Sequence, residues 1–301
     1  MIQLQKYTWL IDTIRRAGRI SLEEISARWE RNKDLSDYRP LSRATFNRWK
    51  EAIYNQFGII IACQRTGGYL YYIENPEEID DNELKKWMLD SFSVGNLIGE
   101  HLSLRDRILV SPVPSAHRHL STLLEAMNDN RTVAITYCGF NKSRSYTFPV
   151  EPYCVKLFED RWYVLARDVQ YDELRIYGLD RIERIEPTGD TFKLPKGFSA
   201  AAYFAPCYGI VTSPDIPAER IQIRVYQGHI PYMQSLPLHP SQRLLADHGT
   251  YADFELYLAP TYDFIMRLLH VGSMLEVLSP VSLRQQMKAW TSKMYEMYRN
   301  D

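Results

Sequence analysis

Two runs decide how this chain is read: Arg161-Trp162-Tyr163-Val164-Leu165 and Arg175-Ile176-Tyr177-Gly178-Leu179-Asp180-Arg181-Ile182. Both fall within residues 137–182, downstream of Tyr137, Arg144, Pro149 and Pro152. Each reads as a short strand, on which side chains alternate between faces. In the first run Trp162, Val164 and Ala166 share one face, while Tyr163, Leu165 and Arg167 share the other. In the second, Arg175 and Tyr177 lie opposite Leu174 and Ile176. Acidic and glycine-containing clusters punctuate the runs at residues 159–160, 168–172 and 188–190. Five or six short strands joined by tight turns imply a small, strongly curved sheet or barrel.

This ordered set resembles the WYL domain family, named for a Trp-Tyr-Leu triplet. Here the triplet is Trp162, Tyr163 and Val164, with Leu165 following, so its third position departs conservatively. Tyr177 stands where the family often has Phe, and Asp180-Arg181-Ile182 matches directly. The resemblance implies an Sm-like or SH3-like β-barrel that senses a nucleic-acid or nucleotide-like anion. It also implies a ligand pocket at Tyr137, Arg144, Arg175 and Arg181, and Tyr163 of the triplet joins these candidates. Arginine suits that task because its planar fork pairs with phosphate through two hydrogen bonds and stacks on bases. On the residues alone a structural role stays open, with Arg181 pairing with Asp180 or Glu183 and Tyr137 in the core.

At 301 residues the chain is long enough for two to four domains. A hydrophobic content of 45% with 24% charged residues fits a soluble globular protein. No apolar run approaches the ~20 residues that span a bilayer, and residues 1–10, which mix Gln, Lys and Thr with apolar residues, do not read as a signal peptide. A cytoplasmic protein without a membrane partner is expected. Cys63, Cys138, Cys154 and Cys207 show no CxxC spacing, which points to free thiols in a reducing compartment. Charge is uneven: residues 1–75 carry twelve Lys or Arg against eight Asp or Glu, and the remainder 24 against 29. A basic head on an acidic body suits a nucleic-acid partner.

In that head, Leu4, residues 9–11 and Ile14 form the apolar face of a helix ending near Gly18. Arg19-Ile20 reads as an extended link. Ser21 and Glu24 form a capping box for a second helix reaching about Glu30. Residues 32–40 read as a loop, longer than a tight turn. Ser42 caps a third helix whose buried face is Phe46, Trp49, Ile53 and Phe57. A hairpin with a Gly-Gly turn follows over residues 59–73. Three helices and a hairpin follow the winged helix-turn-helix plan, with the third helix in the major groove. The DNA-binding candidates are Arg43, Thr45, Asn47, Arg48 and Lys50 on that helix and Arg65 on the wing. Such a head frequently accompanies WYL domains.

The organisation expected is therefore α+β and multidomain. It comprises a winged helix-turn-helix (1–75), a helical linker (76–114), a WYL unit with a leading helix (115–205) and a ferredoxin-like α+β extension (218–301). The linker reads as two helices, over residues 83–89 and 94–101, packing on the same chain or forming a dimer interface. The segment from Gly272 to Pro280, with the helix after it, resembles the extension that follows WYL domains. His117 and His119 read as a solvated helix face rather than a metal pair. No phosphate-binding Gly loop, HExxH, GxSxG or paired-carboxylate motif appears, so no catalytic residue, cofactor or metal is assigned. The function expected is a homodimeric transcriptional regulator that binds double-stranded DNA and senses a nucleotide or oligonucleotide. The alternatives are an accessory protein for single-stranded nucleic acid and, less favoured, a nucleotide-processing enzyme.

Overall fold

A computed structural model of the chain describes residues 2–36, 39–66, 68–100, 107, 117–140 and 142–299. The chain divides into two compact units, residues 1–111 and 112–301.

The first unit opens with α1 (Ile2–Ala17), β1 (Ile20–Ser21) and α2 (Leu22–Arg31). The capping box forms: the Glu24 amide donates to Ser21 Oγ at 3.2 Å, and the Ser21 amide donates to Glu24 Oε2 at 3.1 Å. Next come α3 (Lys33–Ser36) and α4 (Arg43–Phe57), then β2 (Ile61–Gln64) and β3 (Leu70–Ile73). Ser42 caps α4 by accepting from the Thr45 amide at 3.2 Å. The extended link at Ile20 is a strand: β1 pairs with β3 and makes a three-stranded sheet. The expected loop is corrected. The loop over residues 32–40 contains the one-turn helix α3, whose Leu35 amide is held by Asn32 Oδ1; residues 37 and 38 lie outside the described residues.

Three tryptophans, one from each of α1, α2 and α4, fix the core. Trp29 packs edge-on against Trp9 at 5.1 Å and against Trp49 at 5.0 Å. Such pairs add roughly 0.5–1.5 kcal/mol each beyond the area they bury. The Trp29 indole donates to the Arg39 carbonyl at 2.9 Å, so the segment before α4 is tied to the same stack.

Helices α5 (Glu77–Asp80) and α6 (Glu83–Glu100) follow. α6 is one helix where two were expected; His101 lies outside the described residues, as do residues 108–116. Ile79 and Leu89 are buried in the head's own core. Lys85 Nζ donates to the Phe57 carbonyl at 2.7 Å, at the C-terminal end of α4. The start of the expected linker thus packs on the head.

The second unit begins with α7 (His117–Asn128), whose Leu123 and Ala126 are buried. His119 is buried as well, which corrects the solvated face expected for it. Then come β4 (Arg131–Tyr137), β5 (Tyr146–Phe158), β6 (Arg161–Asp168), β7 (Glu173–Gly178), a 3-10 turn (Leu179–Arg181) and β8 (Ile182–Thr191). They form one antiparallel sheet in the order β7-β6-β5-β4-β8. Val164, Ala166 and Trp162 face its core, as their alternation requires.

β5 is long and bulged between Pro152 and Cys154. Proline has no amide to give the ladder, and a bulge bends the strand. One half of β5 therefore pairs with β4 and the other with β6. The two edge strands are joined by only the three-residue 3-10 turn, about 6 Å of chain. That connection forces the sheet to curl until its edges approach. No ladder joins β7 to β8 among the described residues, so the closed barrel expected from the sequence is not formed. The sheet is curled but open.

The chain continues through α8 (Ala200–Phe204), β9 (Glu219–Tyr226), α9 (Ile230–Ser235), β10 (Arg243–Asp247), β11 (Tyr251–Leu258), α10 (Tyr262–Val271), β12 (Leu275–Ser279) and α11 (Val281–Tyr298). α8 lies in the connection between the two sheets. Pro280 is the residue before α11. The four strands form an antiparallel sheet in the order β10-β11-β9-β12. Ile221, Ile223 and Val225 alternate with Arg220, Gln222 and Arg224, so one face is buried and the other is polar. Phe264, Ile265 and Leu268 of α10 and Leu283 of α11 close the core.

Candidate functional site

The exposed side of α4 follows from its periodicity. Phe46, Trp49 and Ile53 turn inward, and Arg43, Asn47 and Arg48 stay in solvent. Arg43 and Arg48 make no ion pair or hydrogen bond among the described residues. Thr45 is half-buried and serves the cap, its hydroxyl 2.9 Å from that of Ser42. Lys50 departs from the expectation. It lies one helical step from Phe46, and its ammonium sits over the Tyr71 ring at 5.3 Å and the Phe46 ring at 6.0 Å. Arg65 is exposed beside the turn between β2 and β3, and Gly67 lies outside the described residues.

In the second unit the candidate residues separate into two groups. Arg181 lies in the 3-10 turn, its guanidinium 5.3 Å from the Tyr137 ring and 4.7 Å from the Phe140 ring. Gly178 makes that packing possible: a Cβ there would lie 2.6 Å from Asp180 Oδ1 and 2.8 Å from Arg181 Nη2. Arg161 pairs with Asp180 at 2.7 Å, taking up the carboxylate beside Arg181. Asp180 Oδ1 pairs with Arg181 Nε only at 3.9 Å, and that buried nitrogen has no hydrogen-bond partner among the described residues. Tyr163, which pairs across the ladder with Gly178, completes the group. Burial pushes the Tyr137 phenol up, against the opposing pull of Arg181. Burial also raises Tyr163, against Arg161. Both phenols therefore stay neutral hydrogen-bonding groups at neutral pH. Phe140, three-quarters exposed in the loop after β4, was not among the sequence candidates. Its only signal was an aromatic residue in a polar loop.

Arg175 does not join Arg181, although both were expected to converge. Arg175 pairs with Ala166 across the ladder and Gly178 with Tyr163, so Arg175 sits three residues further along the sheet, roughly 10 Å away. Its guanidinium is 2.9 Å from Glu173, 3.5 Å from buried Asp168 and 4.5 Å from the Tyr171 ring. Arg144 is exposed in the loop before β5 and makes no ion pair among the described residues. A cavity of about 720 Å³ lies elsewhere, bordered by Leu174, Tyr203, Cys207, Thr212 and Thr261. Among the described residues none of the five ligand candidates borders it, and no Arg or Lys does.

The four cysteines are free. No helix among the described residues is long and apolar enough to cross a membrane.

Comparison with known proteins agrees with this architecture. Residues 118–187 match the WYL domain family and residues 217–295 the WCX domain family. No curated protein matches the chain. Among solved structures, Proteasome accessory factor B/C (PafBC) of Arthrobacter aurescens is similar at 18% identity and a TM-score of 0.28. That likeness covers 70% of this chain and 32% of that one, so the chain spans about a third of its length. A structure described as a CRISPR Cas-related protein is similar at 10% identity and a TM-score of 0.41, covering 91% of this chain and 84% of that one. The chain carries a WYL domain followed by a WCX domain.

Proposed function

We propose that this protein is a DNA-binding transcriptional regulator whose WYL domain senses a nucleotide-like anion. The first unit is read as a winged helix-turn-helix, with α4 entering the major groove and the β2–β3 hairpin reaching the neighbouring backbone. The observation that carries this reading is the outer face of α4. Arg43, Asn47 and Arg48 are exposed, and the two arginines are unpaired among the described residues, above a core closed by three tryptophans. Unpaired guanidinium groups on a rigid helix supply both phosphate neutralisation and base-edge contacts.

The ligand reading rests on Arg181. Arg181 Nε finds no hydrogen-bond acceptor among the described residues, only Asp180 at 3.9 Å. An unsatisfied buried nitrogen costs stability unless a ligand supplies an acceptor, and Tyr137 and Phe140 offer rings on which a base can stack. The second sheet is read as an open relative of the Sm-like barrel. The WCX strand order, with βαββαβ connectivity, suits a ferredoxin-like unit. The working assembly is a homodimer in the cytoplasm, its heads spaced for two half-sites. Ligand acts by favouring one spacing, since only differential binding shifts an equilibrium.

The test is duplex selection from a random library with the full chain. A sequence motif is expected, and Arg43→Ala with Arg48→Ala should weaken binding to it by at least about tenfold. Equal binding by wild type and double variant removes α4 from the interface. Salt-dependent binding without any motif favours an accessory nucleic-acid-binding role.

A further inference from the structure

On the DNA-contacting reading of α4, the third turn of its outer face presents an acid. Successive residues turn by 100°, so Ala44, Asn47, Arg48, Glu51 and Tyr54 share the side opposite Phe46, Trp49 and Ile53. Lys50 is the basic residue nearest this turn, but it is withdrawn over Tyr71 and Phe46. Glu51 is exposed and borders a groove of about 440 Å³ with Asn47, Lys50, Tyr54, Ile60 and Ile61; Lys50 lines it while its ammonium stays over the two rings. Glu51 forms no ion pair or hydrogen bond among the described residues, not even with Arg48 one turn earlier. It lies mid-helix, where it serves neither a cap nor the helix dipole. Among the described residues no contact gives this carboxylate a structural task.

We propose that Glu51 is a specificity-determining residue that accepts a hydrogen bond from a cytosine amino group. Ionised, a carboxylate only accepts. In the major groove, cytosine presents the N4 amino donor, whereas guanine presents acceptors alone and thymine an acceptor and a methyl group. Adenine offers a donor beside its N7 acceptor, which repels a carboxylate. Away from a matching donor, Glu51 faces phosphates and opposes binding. It therefore discriminates by penalising wrong sequences as well as by contacting the right one. Arg43 and Arg48 supply attraction, and Glu51 makes that attraction conditional.

The experiment compares full-length wild type with Glu51→Gln and Glu51→Ala in selection from random duplexes. Each is then titrated against the selected duplex, its single-site substitutions and a scrambled duplex. Wild type should fix a C·G pair at one position, with a loss of about tenfold or more when it is replaced. Both variants should keep the rest of the motif, lose that preference and bind the scrambled duplex several-fold more tightly. The exposed position leaves folding intact, which thermal unfolding checks. A variant motif unchanged at every position overturns the proposal, as does unchanged affinity for the scrambled duplex. Wild type that selects no motif overturns the DNA reading itself, and the assignment of Glu51 with it.

Discussion

The Tyr177 phenol donates to Asp168 Oδ2 at 3.1 Å, and both side chains are buried. Around this bond the WYL site is divided. On one side Tyr177 packs edge-on against Tyr137 at 5.2 Å, which leads to Arg181; on the other, Asp168 meets Arg175. Asp168 Oδ1 is already occupied by the amides of Gln170 and Tyr171. The carboxylate is thus a structural anchor, and Arg175 is part of its neutralisation.

Tyr177→Phe keeps the ring but leaves a buried carboxylate oxygen short of a donor. Denaturant unfolding of the full chain should show the WYL unit destabilised by about 1–3 kcal/mol. A change below ~0.5 kcal/mol in that midpoint would mean that Arg175 or water replaces the phenol.

Arg181→Ala and Arg175→Ala should behave differently. A short single-stranded oligonucleotide, followed by fluorescence anisotropy, should lose at least about tenfold in affinity with Arg181→Ala, because a charge-assisted contact disappears. With Arg175→Ala the affinity should hold and the stability should fall. The opposite pattern would move the ligand to the Arg175 end of the sheet.

Gly209→Ala should loosen the WYL domain from the WCX domain. A Cβ at this position would lie 2.5 Å from Phe158 Cζ and 2.6 Å from Asp263 Oδ2. Lys156 Nζ, on β5, donates to the Gly209 carbonyl at 2.6 Å, while Asp263 of α10 accepts from the amides of Ile210 and Val211 at 3.0 and 3.1 Å. Any shift that relieves the clash disturbs contacts to both domains at once. Faster proteolytic cleavage within residues 205–217 is the expected result, and unchanged cleavage would show that the segment adjusts locally.

His239 should make the WCX domain acid-sensitive. Burial holds its pKa below the ordinary value of about 6.5, and its ring is bonded to the Ala205 carbonyl and to Ser241. The unfolded chain takes up the proton first, so the stabilisation is present above about pH 6.5 and is lost as pH falls towards the folded value. The melting temperature should drop over that window in wild type and less so in His239→Gln. Parallel curves for the two proteins would assign the sensitivity to another group.

The sequence by itself determined what rests on neighbours in the chain. Ser21 and Glu24 form their box because both partners lie within one helical turn. The buried face of α4 and the core face of β6 follow from backbone periods of 3.6 and 2. The same parity put Arg175 and Tyr177 on one face, but parity gives a side and not a distance. Whether Arg175 reaches Arg181 depends on ladder register and on the tyrosine between them, and only the folded sheet decides that. Phe140 beside Arg181 and Lys156 on Gly209 are of the same kind. So is the stack of Trp9, Trp29 and Trp49, and so is the open edge between β7 and β8. Each depends on residues far apart in sequence, where loop closure and packing select one partner among many and no local pattern records the choice.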